Sequence, residues 1–259
     1  MKKHCFVLFL LIFSVLQIWG QKKNIIYAEI GGSFSSFQDT KYSKVRYNGF
    51  GIGYRLGYIK ESEKNMWGVH IQNLKQTEKP STHDMTQALT RNLMIQTNYL
   101  KKIKENLYIG GTWDILDYYT KEFENLGNNS VYSVSGSTLW ASGIYKYKKF
   151  NFGLSIGLIS YYKENLGFAF VVPQSVLENG EFDYQNLEEI DDIFNFKDYK
   201  LRTINKNFQL RTKIRYQLSK RFSIGYQWNF RRFSEVKKHP VTYGIHALSI
   251  RYNILNKEK

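Results

Sequence analysis

Two residues near the end of the chain have side chains that could form an acyl-transfer site. His246 and Ser249 could supply the general base and the nucleophile of a serine hydrolase. They are three residues apart, and side chains alternate between the two faces of a strand, so the pair would point to opposite sides. Without a bulge between them they cannot form a dyad, and we assign no catalytic residue here.

A second group of residues has the types used in proteolysis by activated water. His83 and Asp84 are adjacent, and Asp114 and Asp117 follow further along the chain. Paired aspartates, or an aspartate beside a histidine, can act as a general base toward water. Their spacing matches no established catalytic motif, so proteolysis remains an alternative and a non-enzymatic function is favoured.

Metal and cofactor chemistry has little support in the sequence. Cys5 is the only cysteine, and paired metal-binding histidines, a glycine-rich phosphate loop and a nucleophile elbow do not occur. The carboxylate-rich segment 188–192 lacks the alternating ligands and the turn glycine of a calcium-binding EF-hand loop. We therefore expect no metal and no cofactor.

The first twenty residues have the features of an export signal. Lys2 and Lys3 precede an apolar run, residues 5–19, that is too short to span a bilayer comfortably. The run ends at Gly20, and a small residue at this point suits signal peptidase, which predicts cleavage near Gly20-Gln21. Residues 1–20 are thus expected to be a signal peptide, and residues 21–259 a single domain.

The remaining chain is strongly basic. Formal net charge is +15, and +13 once Lys2 and Lys3 are removed. An exported basic protein meets anionic lipid and polysaccharide, so nucleic acid is not expected as a partner. After residue 20 no apolar stretch approaches the ~20 residues of a membrane helix. If the protein spans a membrane, it must do so as a closed barrel.

Apolar and polar residues alternate along most of the chain, most clearly in residues 222–230, where bulky apolar side chains alternate with Ser, Gly, Gln and Asn. Alternation with a period of two is typical of strands with one apolar face. We predict ten strands, at residues 25–37, 44–59, 66–77, 91–102, 106–119, 136–147, 149–162, 199–218, 222–234 and 241–254.

The predicted connections alternate in length, which is typical of membrane barrels with tight periplasmic turns and longer external loops. With an even number of strands, both termini fall on the short-turn side. The longer connections are predicted at residues 38–43, 78–90, 120–135, 163–198 and 235–240.

The composition of the two faces indicates which one is inside. The polar face is rich in glycine and short polar side chains, which suit a narrow lumen, whereas the apolar face carries large aromatics, which suit lipid. A soluble ligand-binding barrel would have the opposite arrangement, with its apolar face lining the cavity. The pattern predicts an all-β fold, a closed antiparallel up-and-down transmembrane β-barrel of about ten strands, within bounds of about eight to twelve.

The signal ending at Gly20-Gln21, the alternating strands and the last strand, residues 246–254, resemble the small outer-membrane β-barrel proteins of the Bacteroidetes type. Barrels of this kind usually end on an aromatic residue, whereas residues 255–259 follow here. The resemblance implies a cell-envelope protein in contact with outer-membrane lipid, and a monomer is favoured over an oligomer. Some barrels of this size are enzymes that modify lipid A or are omptin-like proteases, which keeps both activities as alternatives. Omptin-like proteases use aspartate pairs and an Asp/His pair at the extracellular rim, and His83, Asp84, Asp114 and Asp117 are expected in or near that rim here.

The predicted faces place a basic stripe in the lumen, with a few acids as partners. The basic residues are Arg55, Arg211, Lys213, Arg215, Arg231 and Arg251, and the candidate acidic partners are Glu29, which would pair with Arg251, and Asp114.

The fourth long connection, 163–198, holds nine of the 22 acidic residues of the chain. Its main acids are Glu178, Glu181, Asp183, Glu188, Glu189, Asp191 and Asp192. One hypothesis is that this loop folds over the mouth of the barrel and pairs with the basic stripe; the other is that it is a solvated surface loop above a structural ion-pair network.

The function that the sequence favours is a porin-like narrow pore for anionic or sugar solutes, or a structural and surface-interaction barrel, with a basic lumen partly closed by the acidic loop. A barrel enzyme and a soluble periplasmic binding barrel are the alternatives. Strand alternation specifies a wall, and it does not identify a substrate.

Overall fold

The computed structural model describes residues 21–39, 45–81, 87–124, 129–169, 199–233 and 241–258. Within these residues, no helix is long and apolar enough to cross a bilayer. The strands are β1 (Gln21–Asp39), β2 (Tyr47–Ser62), β3 (Asn65–Pro80), β4 (Gln87–Lys104), β5 (Leu107–Glu124), β6 (Asn129–Tyr147), β7 (Phe150–Ala169), β8 (Lys200–Thr203), β9 (Asn207–Gln217), β10 (Phe222–Phe233) and β11 (Val241–Glu258).

The strands close into one antiparallel barrel. Neighbours in sequence are neighbours in space, and β1 closes the ring by pairing with β11 as well as with β2. Strands β8 and β9 both pair with β7, one above the other, so they occupy one position interrupted at residues 204–206. The barrel has ten strand positions, and the predicted closed up-and-down fold of about ten strands is confirmed.

Four short turns lie at one end of the barrel, at residues 63–64, 105–106, 148–149 and 218–221. The beginning of β1 and the end of β11 lie at the same end, because Lys23 pairs with Glu258. We call this the short-turn end and the opposite one the long-loop end. The hairpin at 148–149 is tight enough that Lys148 has a positive φ of 51°.

The strands extend further toward the long-loop end than their sequence patterns predict. Strand β3 continues to Pro80, β5 to Glu124 and β7 to Ala169, and β6 already begins at Asn129. The loops predicted at 78–90, 120–135 and 163–198 are therefore shorter, since part of each is strand. Charged residues such as Glu78, Lys121 and Lys163 interrupt the apolar alternation at the ends of β3, β5 and β7, although a lumen can accept charges that are paired.

The outer surface of the barrel is apolar and the lumen is polar. On β2, Phe50, Ile52, Tyr54 and Leu56 are 75, 52, 56 and 57% exposed, whereas Arg55 between them is 8% exposed. The same alternation holds on β10, where Phe222 and Ile224 face outward. Large exposed apolar side chains around a whole barrel are costly in water and favourable in hydrocarbon.

Candidate functional site in the barrel lumen

The basic residues predicted for the lumen all lie on the inner face of the barrel. Arg55, Arg215 and Arg251 are among the most deeply buried of them. Charged groups in such a position need partners, because an unpaired buried charge costs several kcal/mol. The lumen of the described chain is organised around four carboxylates that meet this need.

Glu29 is the centre of the first cluster. Its Oε2 accepts hydrogen bonds from both Nε and Nη2 of Arg251, at 3.0 and 2.9 Å. Its Oε1 accepts from Nη2 of Arg215 at 2.8 Å and lies 3.6 Å from Nη1 of Arg55. One carboxylate thus holds three guanidinium groups from three strands.

The Glu29–Arg251 pair follows directly from closure of the barrel. Glu29 and Arg251 are register partners where β1 meets β11. The guanidinium of Arg251 also lies over the ring of Tyr27, 3.6 Å from its centre. A Cβ at position 57 would lie only 2.5 Å from that ring, so Gly57 is needed to make room for it.

Asp114 is the centre of the second cluster. Its Oδ2 accepts from Nη2 of Arg211 at 3.2 Å and from Nε1 of Trp140 at 2.8 Å, and its Oδ1 accepts from Gln96. The Arg211 guanidinium also lies 4.3 Å from the centre of the Trp140 ring. Asp114 is fully buried, so this network satisfies a carboxylate that water does not reach.

Asp117 forms the third cluster, which the sequence pattern did not predict. It accepts from Nη2 of Arg231 and, at 2.7 Å, from the amide of Asn92. Regular alternation would turn Asp117 away from Asp114, but the strand bulges between these two positions. Two acids three residues apart on one strand were the available signal.

The fourth cluster lies nearest the long-loop end. Glu78 and Lys121 form an ion pair with neither side chain exposed. Ser35 and Thr90 donate to the same carboxylate at 2.6 and 2.9 Å, and the Lys121 ammonium lies 3.3 Å from the centre of the Phe37 ring. Sequence reasoning missed this pair because both residues fell outside the predicted strands.

Aromatic and aliphatic side chains fill the lumen around this last pair. Tyr243 lies against Phe37 and Tyr119 in edge-to-face contacts and donates to Gln76 at 2.6 Å. The long-loop half of the lumen is therefore packed with the chain's own side chains. The hydrophobic members of this layer, which we call the closing layer, are Phe37, Tyr47, Ala88, Tyr119, Val134, Tyr162, Phe233, Val241 and Tyr243.

The short-turn half of the lumen contains a cavity of about 580 Å³, which we call the vestibule. Its lining reaches the turn residues Lys148, Lys149 and Lys220, so it lies at the short-turn end. The one carboxylate in the described lining is Glu61, which pairs with Lys146. The cationic lining residues are Lys23, Arg55, Lys146, Lys148, Lys149, Arg211, Lys213, Arg215, Lys220 and Arg251.

The residues considered for hydrolysis are not brought together. Ser249 lies in the lumen and donates to Glu29 at 2.6 Å, whereas His246 lies on the outer face, where its Nδ1 is 2.7 Å from the hydroxyl of Tyr226. Asp114 and Asp117 are held by arginines inside the barrel rather than at its rim. Among the described residues, no group of His, Cys, Asp and Glu could hold a metal ion.

Several predicted residues lie outside the described residues. They are His83, Asp84, Glu178, Glu181, Asp183, Glu188, Glu189, Asp191 and Asp192.

No protein-family model matches the chain, and no curated protein matches it in sequence. Among solved structures, the translocator domain of the autotransporter NalP from Neisseria meningitidis is 9% identical with a TM-score of 0.49, over 93% of this chain and 92% of that one. The outer-membrane protease OmpT from Escherichia coli is 7% identical with a TM-score of 0.42, over 92 and 99% of the two chains. The attachment invasion locus protein Ail of Yersinia pestis is 10% identical with a TM-score of 0.31, over 90% of this chain and 100% of that one.

Proposed function

We propose that this chain is an outer-membrane β-barrel of the cell envelope, exported with cleavage near Gly20-Gln21, and that it is a closed structural and surface-interaction protein rather than an open pore. Support for the membrane location comes from the belt of exposed aromatic and aliphatic side chains around the barrel, which matches the lipid-facing surface of membrane barrels. A soluble binding barrel would place those side chains inside.

The observation that carries the closed state is the packing of the lumen at its long-loop half. The Glu78–Lys121 pair is fully buried, and the closing layer surrounds it. Solutes would have to displace these side chains to pass, and the buried ion pair opposes that displacement because separating its charges is costly. The barrel then serves as an anchor that presents its long loops on one side of the membrane.

In this proposal the acidic segment 163–198 does not act as a plug of the lumen. Arg211, Arg215 and Arg231 already have carboxylate partners inside the barrel. The acids of the loop are then available as a surface that contacts outer-membrane lipid or an external partner.

A narrow pore for anionic or sugar solutes is the second candidate, and the cationic vestibule favours it. The enzymatic alternatives are less favoured, since Ser249 and His246 lie on opposite faces and Asp114 and Asp117 are held in ion pairs.

Conductance in planar bilayers separates the closed barrel from the pore. We expect the refolded protein to give no stable conductance, and deletion of residues 178–195 to change nothing. Replacing Phe37 and Tyr243 by alanine removes two large rings from the closing layer and is expected to produce channels. The same change at Phe50 and Tyr54, on the outer face, is the matched control. Steady ohmic conductance of the unmodified protein would contradict the closed barrel and support the pore.

A second measurement tests the location itself. An outer-membrane barrel is expected in the outer-membrane fraction and migrates differently on SDS gels before and after heating. Recovery of the protein in the soluble periplasmic fraction would contradict the proposal.

A further inference from the structure

Among the described residues, the vestibule has more cationic side chains than carboxylates to neutralise them. Around Glu29, the guanidinium groups of Arg55, Arg215 and Arg251 share a single carboxylate. Lys213 lines the same cavity within the electrostatic reach of Arg55 and Arg215. Within the described chain, the three guanidinium groups meet one carboxylate and Lys213 lies in the same part of the lining, so cationic groups are in excess here. We call this part of the lining, formed by Arg55, Lys213, Arg215 and Arg251, the deep wall.

Some of the donors at this wall have no acceptor in the described chain. Nη1 of Arg55 is buried and makes no hydrogen bond, and its 3.6 Å distance from Oε1 of Glu29 is an ion-pair contact only. Lys213 makes no hydrogen bond or ion pair with the described residues. Nε2 of His70, which also lines the cavity, is buried without a partner. A buried polar atom without a hydrogen-bond partner is costly, and Nη1 of Arg55 is a donor that an oxyanion would satisfy.

The rest of the cavity suits a small polar molecule. Its volume of about 580 Å³ falls in the range of small-molecule sites. Side-chain amides and hydroxyls line its walls between the deep wall and the lysines of the turns. The neutral polar lining residues include Gln96, Asn98, Thr112, Ser142, Asn151 and Gln227.

We propose that the vestibule is a binding site for a small organic oxyanion, one that carries carboxylate or phosphoryl groups and enters from the short-turn end. One anionic group would accept from Arg55 and Lys213, because guanidinium and ammonium groups form their strongest hydrogen bonds with oxyanions. The lysines of the turns raise the local concentration of anions at the entrance. The inference rests on the proposed function in one respect: the short-turn end then faces the periplasm, so the ligand would enter from that compartment.

Two kinds of substitution in the cavity wall can test binding: one that fills the vestibule and one that removes a charge. Gly153 lines the vestibule, and a Cβ added there would lie 3.4 Å from Cβ of Lys213, an ordinary contact distance. Leucine at this position would extend into the cavity beside Lys213 and would leave every charge in place. Lys213→Met removes one charge with little change in volume. Lys75→Met is the matched control, since Lys75 is exposed and does not line the cavity.

Isothermal titration of the detergent-solubilised full-length barrel, at constant ionic strength, measures binding of pyrophosphate and of citrate. We expect saturable binding of at least one probe, weakened by roughly tenfold or more in Lys213→Met and in Gly153→Leu and unchanged in Lys75→Met. Binding of pyrophosphate alone identifies phosphoryl ligands, and binding of citrate alone identifies carboxylates.

Absence of binding for both probes overturns the proposal, as does an equal loss in Lys213→Met and Lys75→Met, which indicates unspecific attraction by net charge. Heat-modifiable migration shows which variants are folded. If Lys213→Met does not fold, the loss of binding in Gly153→Leu still tests the proposal. A failure here leaves the closed barrel intact, because conductance tests that separately.

Discussion

Asp114 and Asp117 both point into the lumen although they are three positions apart, because β5 contains one residue more than either of its neighbours at this point. Opposite Asp114 and Asp117, β6 places Thr138 and Gly136, two residues apart. On the other side, β4 pairs the adjacent residues 95 and 96 with Leu116 and Asp114. The inserted residue allows β5 alone to neutralise Arg211 of β9 and Arg231 of β10.

Deleting Ile115 tests this relationship. The deletion removes the extra residue and leaves a regular ladder with both carboxylates still inward, so we expect the barrel to fold. Deleting Trp113 instead shifts Asp114 to the outer face and separates it from Arg211. Folding yield and heat-modifiable migration measure the difference, and equal behaviour of the two deletions would count against the bulge as the cause.

Glu29→Gln is expected to be among the most destabilising substitutions of a single polar residue. It leaves Arg55, Arg215 and Arg251 near one another without a counter-charge, and losing one partner of a buried ion pair costs about 3–5 kcal/mol. Urea unfolding followed by tryptophan fluorescence measures the loss. Glu122→Gln, at a partly exposed pair with Arg91, is the control and should change stability by less than about 1 kcal/mol. A small effect of Glu29→Gln would show that the cluster contributes little.

The Glu78–Lys121 pair lends itself to a double-mutant cycle. Each single change, Glu78→Gln or Lys121→Met, leaves one buried charge without its partner and should destabilise the barrel strongly. The double variant should be less destabilised than the sum of the two, with a coupling free energy on the order of 2 kcal/mol. Additive effects would mean that the two residues are stabilised by other contacts.

Lys213→Met, unlike the substitutions above, is expected to stabilise the barrel. In buffer without multivalent anions, Lys213 repels Arg55 and Arg215 and has no hydrogen bond in the described chain to offset this. Its removal should therefore raise the free energy of unfolding by about 1 kcal/mol. Adding pyrophosphate or citrate should reduce the difference in unfolding free energy between Lys213→Met and the unmodified protein, because a bound anion stabilises only the protein that binds it. A destabilised variant in anion-free buffer would contradict the excess charge at the deep wall.

Much of the barrel follows from the sequence because its outer face is largely apolar. Along β2, the exposed residues Phe50 to Leu56 alternate with glycines and Arg55, and that pattern alone indicates the strand and its two faces. The ends of the strands are less predictable. Glu78 and Lys121 can lie in the lumen because they neutralise each other across β4. Such a partnership depends on the register of three neighbouring strands rather than on the local pattern of either residue.

The site is predictable to a similar degree. The inward arginines and Glu29 follow from alternation, and the pairing of Glu29 with Arg251 follows from the first and last strands being neighbours. Asp117 requires a bulge, which shifts the alternation by one residue, and the spacing of the two acids on one strand is the signal that the sequence offers for it. The division of the lumen into a closed half and a vestibule depends on side-chain volumes from all strands together.

The account depends most on the outer face of β2 contacting hydrocarbon. Residues 21–259 contain no cysteine, so single cysteines at each position from 50 to 56 can carry a spin label in lipid bilayers. Accessibility to oxygen relative to a water-soluble nickel complex should be high at residues 50, 52, 54 and 56 and low at residues 51, 53 and 55, a period of two. Low oxygen accessibility at the even positions, or no alternation at all, would contradict a barrel whose aromatic face lies in a membrane.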